Sequence, residues 1–481
     1  MPGKLDAVKA NLIEGALAEV GRVGADLAAD QAEILARMIP GYFRRVAAED
    51  LHQWQPVDLY GVVASHWQLA RERPPGTTRL RFYTPNVDEH HWQSSHSVVE
   101  IVTDDMPFLV DSVTAELTRQ GYDIHRVIHP IFFIRRNEDG GLVSAGRDEV
   151  DEMVSRESFI HVEFDRQTDR VALDALRQGL DRVLADVRVA NEDAAVMAAQ
   201  AASLADALGT ETPSVPAADL AEAQALLRWM AEGHFTFLGF RHYTLATSDD
   251  GDVLRTVPGS GLGILREGHR GGSVEGGNSE SFARLTPALR RLARVPELLI
   301  LAKADAVSTV HRPVHLDYVG VKRFDESGAV IGERRFLGLY SSAVYNSRPV
   351  GIPVLRRKVQ AVLDRAGLDV RSHDGRHLVQ VLDTYPRDEL FQISIDDLYD
   401  TVLGILQLQE RSRVRLFTRR DSFGRFVSCL VFLPRERYTT QIRMRMQEIL
   451  LQALGGTRVE WTTRLSESVL ARFHFIVYTV S

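Results

Sequence analysis

Histidine and acidic side chains at short spacing are the first candidates for metal chemistry in this sequence. Glu89-His90-His91 is one group, and the spaced pair His311 and His315 is the other. The Arg-Pro and Val-rich neighbours of His311 and His315 favour extended chain, which would separate residues i and i+4 by about 13 Å. Because no cysteine or carboxylate cluster completes a ligand set, the sequence predicts no metal site.

A glycine-rich stretch at residues 259–278 is the only candidate for a dinucleotide-binding loop. Its start, Gly259-Ser-Gly-Leu-Gly263, would need a glycine at position 264 to form G-x-G-x-x-G, and that position is Ile264. No helix clearly follows, as a dinucleotide site would require. A serine nucleophile motif of the G-x-S-x-G kind is also absent from the sequence. We therefore expect a surface loop here, and neither cofactor-binding nor catalytic residues in this chain.

The segment at residues 103–108 is the best candidate for binding a small effector. It contains Asp104, Asp105, Met106, Pro107 and Phe108, between a predicted strand at 96–102 and a predicted helix at 108–120. Backbone N–H groups at the start of that helix could face an effector carboxylate, and the two aspartates could face its ammonium group. Alternatively, an aspartate caps the helix while the apolar residues belong to the core.

An arginine-rich stretch at residues 411–445 has ten arginines and two acidic residues. Alternation along a predicted strand would place Arg411, Arg413 and Arg415 on a solvated face, with Val414 and Leu416 pointing inward. An acidic partner, an interface with acidic surface elsewhere in a longer polypeptide, or simple solvation would explain the charge. No aromatic platform or phosphate-cradling glycine motif accompanies the arginines, so we expect no nucleic-acid partner.

The elements that must position these residues form several blocks. Helical periodicity covers residues 1–75, and a β-α-β-β-α pattern with a further alanine-rich helix follows over 76–208. A linker is expected at 209–220 and an antiparallel α+β domain at 221–350. Helical periodicity returns as a connector at 351–410, and 411–481 closes the chain as a second small α/β sandwich. The expected class is α+β and multidomain.

Composition limits the kinds of protein that this chain can be. The 481 residues include 44% hydrophobic and 25% charged residues, with a net charge of -8, which is typical of a globular protein with about three domains. There is one cysteine, and no apolar run approaches the roughly 20 residues that a membrane helix needs. Because the start of the sequence also lacks a secretory signal, we expect a cytoplasmic protein with no membrane partner.

Six segments of this chain resemble the N-terminal region of the large bacterial NAD-specific glutamate dehydrogenases. They occur in the same order as in that family and are spread over most of the chain. The segments are TDDMPFLVDSV (103–113), GHFTFLG (233–239), STVHRPVHLDYVGVK (308–322), RFLGLY (335–340), YPRDELF (385–391) and RDSFGRFVSC (420–429).

This resemblance implies two ACT-like (ferredoxin-like) βαββαβ sandwiches at 76–208 and 411–481, with a PAS-like domain at 221–350. It also implies a regulatory and oligomerisation role, with an amino-acid effector and homo-oligomers. The full-length family enzyme uses NAD to convert L-glutamate to 2-oxoglutarate and ammonia. Its substrate and Rossmann domains lie later in the family's chain, so we expect this chain to be inactive alone and to act on its own C-terminal catalytic region. The alternative is a stand-alone amino-acid sensor.

Overall fold

A computed structural model describes residues 2–146, 154–211, 215–248, 251–269, 294–408, 413–421, 424–464 and 470–479. The chain divides into two compact units. In the described residues, unit 1 consists of residues 2–191 and Val307–Val314, and unit 2 consists of the remainder. None of the helices in these ranges is both long and apolar enough to cross a membrane.

Unit 1 begins with four helices, as the periodicity of the first 75 residues predicts. They are α1 (Pro2–Arg22), α2 (Ala29–Tyr42), α3 (Ala48–Leu51) and α4 (Pro56–Ala70). Proline suits the first position of α4, where its missing N–H costs nothing. The buried faces of α2 and α4 pack together with apolar residues of the following sheet, including Val98, Val102 and Phe132.

The sheet of unit 1 has six antiparallel strands in the order β1-β2-β6-β4-β5, with β3 also paired to β6. The strands are β1 (Arg79–Tyr83), β2 (Ser97–Asp104), β3 (Ile124–Ile128), β4 (Ile131–Arg136), β5 (Leu142–Gly146) and β6 (Ser155–Phe164). Glu100 in β2 lies opposite Arg81 in β1 and opposite His161 in β6. Glu163 in β6 lies opposite Arg126 in β3. Charged side chains therefore meet across four neighbouring strands.

Three further helices are α5 (Val87–His90), α6 (Leu109–Arg119) and α7 (Arg170–Glu211). The part of α7 up to Asn191 belongs to unit 1, and the part from Glu192 belongs to unit 2. The sequence predicts a helix ending near Val187, a second, alanine-rich helix, and then a linker at 209–220. Instead α7 is one helix of 42 residues, and α8 (Ala217–Trp229) begins within the predicted linker. Buried residues such as Met197, Ala201 and Leu208 continue the apolar face of α7, which explains why the helix does not end earlier.

Unit 2 contains a second six-stranded antiparallel sheet in the order β10-β11-β12-β7-β8, with β9 paired to β7. The strands are β7 (Phe235–Ser248), β8 (Gly251–Thr256), β9 (Leu262–Gly263), β10 (Leu299–Val307), β11 (His315–Phe324) and β12 (Val330–Tyr340). The glycine-rich stretch is thus not simply a surface loop where the structure describes it. Gly263 has φ +59° and a backbone that closely approaches Leu238. The remainder of that stretch, from residue 270 to 278, lies outside the described residues.

Five helices follow the sheet, and four of them lie within residues 351–410, in agreement with the helical periodicity of that segment. They are α9 (Ser342–Asn346), α10 (Leu355–Ala366), α11 (His373–Thr384), α12 (Arg387–Gln392) and α13 (Ile395–Leu406). Serine caps begin α11 and α13: the Ser372 hydroxyl accepts from the Gly375 N–H, and Ser394 does the same for Asp397.

The last part of unit 2 is a four-stranded antiparallel sheet in the order β13-β14-β16-β15, with one helix. Its elements are β13 (Arg415–Arg420), β14 (Phe426–Pro434), α14 (Thr440–Leu454), β15 (Gly456–Arg464) and β16 (Leu470–Thr479). Alternate residues of β14 face opposite layers: Cys429 and Val431 share a core with α14, whereas Leu430 and Phe432 share one with α10 to α13. The combination of antiparallel sheets with helices confirms the predicted α+β class.

Candidate functional site

The predicted effector segment lies at the junction of β2 and α6 in unit 1. Strand β2 ends at Asp104, and Phe108 is the residue before the first turn of α6. Phe108 has φ +73°, and no side chain caps the helix. The alternative in which Asp104 or Asp105 caps this helix is therefore wrong, because the N-cap position belongs to Phe108.

The carboxylates of this segment are paired with arginines of unit 1. Asp104 lies 2.8 Å from the Arg73 guanidinium and 2.7 Å from that of Arg188. Burial would raise the pKa of Asp104, but Arg188 and Arg73 outweigh it and lower that pKa. Asp105 lies 2.6 Å from Arg156 and accepts a hydrogen bond from the Ser158 hydroxyl. These partners compete with any ammonium group for the two carboxylates.

The first turn of α6 is in contact with the segment Val307–Val314, which also belongs to unit 1. The His311 backbone N–H donates to the Ser112 hydroxyl at 3.0 Å, and its ring nitrogen lies 3.1 Å from the Asp111 carboxylate. The His311 ring also lies 4.7 Å from the Phe108 ring, measured between centroids. The side chains of this segment thus have partners within the protein. None of these contacts tests whether an effector binds, so the effector site stays a prediction.

The histidines that the sequence analysis considered as metal ligands have separate protein partners. His311 contacts Asp111, whereas the ring of His315 contacts the Ala304 carbonyl and the Arg458 side chain. In the other group, His90 stacks on Tyr83 with centroids 4.6 Å apart. His311 and His315 thus do not form a pair of ligands.

A buried cluster that the sequence analysis missed lies between the sheet of unit 1 and α4. It brings ligand atoms of His66, Glu100 and His161 within 4.8 Å of one another. Glu100 accepts hydrogen bonds from Arg81 at 2.8 and 2.9 Å and from the Tyr83 hydroxyl at 2.7 Å. The only sequence signal was the alternation of charged and apolar residues in strands otherwise typical of a core.

His161 is the central residue of this cluster. It is fully buried, and within the described residues neither of its ring nitrogens makes a hydrogen bond. Its ring nitrogens lie 3.6 Å from Glu100 and 3.9 Å from Glu163. Burial would lower the pKa of His161, but these two carboxylates outweigh it and raise that pKa. The two carboxylates therefore favour the protonated form of His161.

The surroundings of the cluster fit an ion-pair network better than a metal centre. Burial lowers the pKa of His66 to about 4, and its two ring nitrogens already contact the Tyr42 hydroxyl and the Ile101 carbonyl. Glu100 is shared with Arg81, a fixed positive charge that would repel a cation. We interpret the cluster as structural.

In the arginine-rich stretch, the prediction that Val414 and Leu416 point inward is wrong. Val414 and Leu416 do not point inward, since 63% and 46% of their surfaces are exposed. On β13 it is Phe417 that packs against the core, and Arg419 that is paired with buried Glu389 at 2.8 Å. An arginine thus occupies an inward position because a buried carboxylate neutralises it. Arg411 lies outside the described residues.

Three family descriptions match the chain. "Glutamate dehydrogenase, ACT1 domain" matches residues 38–180, "Glutamate dehydrogenase, helical motif 1" matches 352–411, and "Glutamate dehydrogenase, ACT2 domain" matches 415–481. The first match takes in the last five residues of α2 and all of α4 together with the sheet. The second covers α10 to α13, and the third covers the four-stranded sheet with α14.

Curated relatives give the same result. The chain is 39% identical over 440 residues to an NAD-specific glutamate dehydrogenase of Halomonas elongata, which is 91% of this chain and 27% of the relative. A protein of the same name from Pseudomonas aeruginosa is 39% identical over 442 residues, 91% of the chain and 27% of the relative. The protein of the same name from Mycobacterium tuberculosis is 32% identical over 428 residues, which is 88% of this chain and 25% of the relative. The chain spans about a quarter of the length of these relatives and belongs to the NAD-specific glutamate dehydrogenase family.

Proposed function

We propose that this chain is the regulatory and oligomerisation segment at the N-terminal end of an NAD-dependent glutamate dehydrogenase. The observation that carries this proposal is the match of two ACT domains and a helical motif of this family to a chain that covers only about a quarter of its relatives. The full-length protein would use NAD to convert L-glutamate and water to 2-oxoglutarate and ammonia. In this proposal the catalytic and NAD-binding residues lie outside the chain.

The proposed arrangement gives each segment a role. Residues 1–75 and 76–208 form a helical unit and the first ACT-like domain, 221–350 a PAS-like domain, 351–410 a helical connector, and 411–481 the second ACT-like domain. These segments pair between subunits of a homo-oligomer and bias the catalytic region of the same polypeptide. An amino-acid effector at Asp104, Asp105, Met106, Pro107 and Phe108 stays a prediction, for which the arginine partners of the two aspartates leave little unpaired charge.

The proposal is tested by comparing purified 1–481 with the full-length protein. Formation of NADH from L-glutamate, followed by absorbance, should occur with the full-length protein and not with 1–481. Light scattering after gel filtration should give 1–481 a mass of at least twice the monomer mass of 53.8 kDa, as expected for a homo-oligomer. NAD-dependent glutamate turnover by 1–481 would contradict the proposed division between regulation and catalysis.

A further inference from the structure

Three arginines of unit 2 lie close to one another without a carboxylate partner. Arg387 begins α12, Arg464 ends β15, and Arg472 lies in β16. Their positive charges act on one another, and none of the three forms a salt bridge with a residue in the described part of the chain. We propose that this cluster, the arginine triad, binds a phosphate group, carried by inorganic phosphate or by a small phosphate ester.

The strand pairing places two of these guanidiniums side by side. Arg464 and Arg472 lie directly opposite each other in the antiparallel pair of β15 and β16. Directly opposite residues of such a pair project from the same face of the sheet, with Cβ atoms roughly 5 Å apart, and like charges at these positions repel each other. Arg464 is exposed and Arg472 is half-buried, so the pair opens to solvent. An anion that reaches both guanidiniums would replace this repulsion by attraction.

Backbone carbonyls fix two members of the triad. Arg387 donates to the Asp383 and Tyr385 carbonyls at 2.6 and 2.9 Å, and Arg472 donates to the Thr384 carbonyl at 2.6 Å. These carbonyls are consecutive in the chain at the end of α11, which brings the two guanidiniums to the same place. Arg387 is only 8% exposed. Because these contacts already order both side chains, the binding of an anion loses little side-chain entropy.

The carbonyls do not balance the charge of the triad. A helix C-terminus contributes about half a negative charge, against three guanidiniums. Asp383 is the one described carboxylate that raises the pKa of Arg387, and it is itself paired with Arg348 at 2.8 Å. Burial, reinforced by Arg464 and Arg387, lowers the pKa of Arg472 from 12.5 to about 10. Positive charge is therefore in excess at the triad.

The chemistry of the triad favours a phosphate group over other anions. Guanidiniums bind oxyanions through paired N–H donors, and arginine is well suited to the geometry of phosphate. A phosphate monoester carries about 1.5 to 2 negative charges at neutral pH and accepts hydrogen bonds through three oxygens. A monocarboxylate carries one charge and accepts within one plane, so it matches three guanidiniums less well. Such a site is separate from the proposed regulatory role and does not depend on it.

Calorimetric titration of intact 1–481 with sodium phosphate, AMP and sodium acetate tests the proposal. Sodium chloride keeps the ionic strength equal, and the pH is fixed near neutrality. We expect saturable binding of phosphate and AMP, and binding of acetate that is at least about tenfold weaker, because acetate engages fewer guanidiniums. Equal affinities for phosphate and AMP would identify the phosphate group alone as the ligand, whereas tighter binding of AMP would identify a phosphate ester.

One substitution locates the site. Arg464→Gln removes the exposed member of the triad, whose side chain has no hydrogen bond within the described ranges. It should weaken phosphate binding about tenfold, because charge-assisted hydrogen bonds to the ligand are lost. The matched control is Arg458→Gln on the same strand, since Arg458 is also exposed but lies 3.0 Å from the Glu460 carboxylate. Arg458→Gln should leave phosphate binding unchanged.

Thermal unfolding distinguishes a binding residue from a structural one. Without phosphate and at low ionic strength, Arg464→Gln should raise Tm above that of wild type, because it removes repulsion from Arg472 and Arg387. Replacing an arginine that only stabilises the fold would lower Tm instead. Added phosphate should raise the Tm of wild type and of Arg458→Gln more than that of Arg464→Gln, since a ligand stabilises the form that binds it.

The proposal is wrong if phosphate shows no saturable binding to a chain that unfolds cooperatively, or if acetate binds as tightly as phosphate. It is also wrong if chloride at equal ionic strength raises Tm as much as phosphate does, which would mean that salt only screens the charges. A lower Tm of Arg464→Gln without phosphate, or equal effects of Arg464→Gln and Arg458→Gln on phosphate binding, would contradict the assignment of Arg464 to the site.

Discussion

Replacing Glu100 by glutamine would remove one negative charge from the buried cluster of unit 1 while keeping its volume. Glu100 is fully buried and neutralises Arg81, and it flanks His161 at 3.6 Å. Removing one partner of a buried ion pair typically costs about 3–5 kcal/mol, because the other charge stays buried without compensation. We expect Glu100→Gln to lower the free energy of unfolding of unit 1 by about that amount.

The pH dependence adds a second test of the same change. The pKa of His161 is raised, so its contribution to stability is fully present below the ordinary value of 6.5 and is lost as pH rises through the folded value. The pKa of Glu100 is lowered to about 2, because His66, His161 and Arg81 outweigh the effect of burial. Its contribution is present above the ordinary value of 4.5 and is lost as pH falls towards 2. The difference between wild type and variant should therefore be largest between about pH 4.5 and 6.5.

Urea unfolding followed by tryptophan fluorescence measures this difference. Trp92 reports on the cluster, since its ring lies 5.8 Å from that of His161. Glu89→Gln is the control, because 73% of the Glu89 side chain is exposed. A loss below about 1 kcal/mol for Glu100→Gln, or a loss equal to that of the control, would refute the assignment of Glu100 as a buried ion-pair partner.

Two further predictions concern unit 2. Gly263→Ala places a Cβ atom 2.1 Å from the Leu238 carbonyl oxygen, whereas Gly259→Ala, also at positive φ, meets no atom within 4 Å. Both variants should lower the free energy of unfolding, measured by thermal unfolding, by about 1–2 kcal/mol, because alanine is strained at positive φ. Gly263→Ala should lower it by about 1–3 kcal/mol more, because of the clash with Leu238. Equal losses for the two variants would contradict the close approach of Gly263 to Leu238. Lys358 donates to three carbonyls at the end of α12, and burial lowers its pKa to about 8. Because the ordinary value is 10.5, the stability of wild type relative to Lys358→Met should rise between about pH 8 and 10, and a flat difference in urea unfolding would contradict this.

Local patterns predicted the strand and helix around the effector segment closely. The predicted helix at 108–120 corresponds to Leu109–Arg119, and the predicted strand at 96–102 to Ser97–Asp104. Both follow from the periodicity of neighbouring residues, which a sequence displays directly. The partners of Asp104 do not follow from local periodicity, because Arg73 and Arg188 are 31 and 84 positions away in the sequence. The spacing of residues in the sequence therefore does not show whether Asp104 is free to contact an ammonium group.

The error at Val414 and Leu416 has a related cause. The prediction assumed that the arginines of β13 mark the solvated face, so that the apolar residues had to face inward. That assumption fails where a buried carboxylate is available, as Glu389 is for Arg419. Charge indicates a solvated face only when no acidic partner lies in the core, and the sequence does not show which acidic residues are buried.

The row of charges across the sheet of unit 1 has a consequence for how the strands find each other. Apolar residues such as Val98 and Val102 would tolerate several alignments, since one buried valine packs much like another. In the observed alignment, Glu100 lies opposite Arg81 on one neighbouring strand and opposite His161 on the other. A slip of one residue would turn it to the opposite face of the sheet and leave its carboxylate buried and unmatched. The ionic row therefore favours the observed strand alignment over alignments that are shifted by one residue.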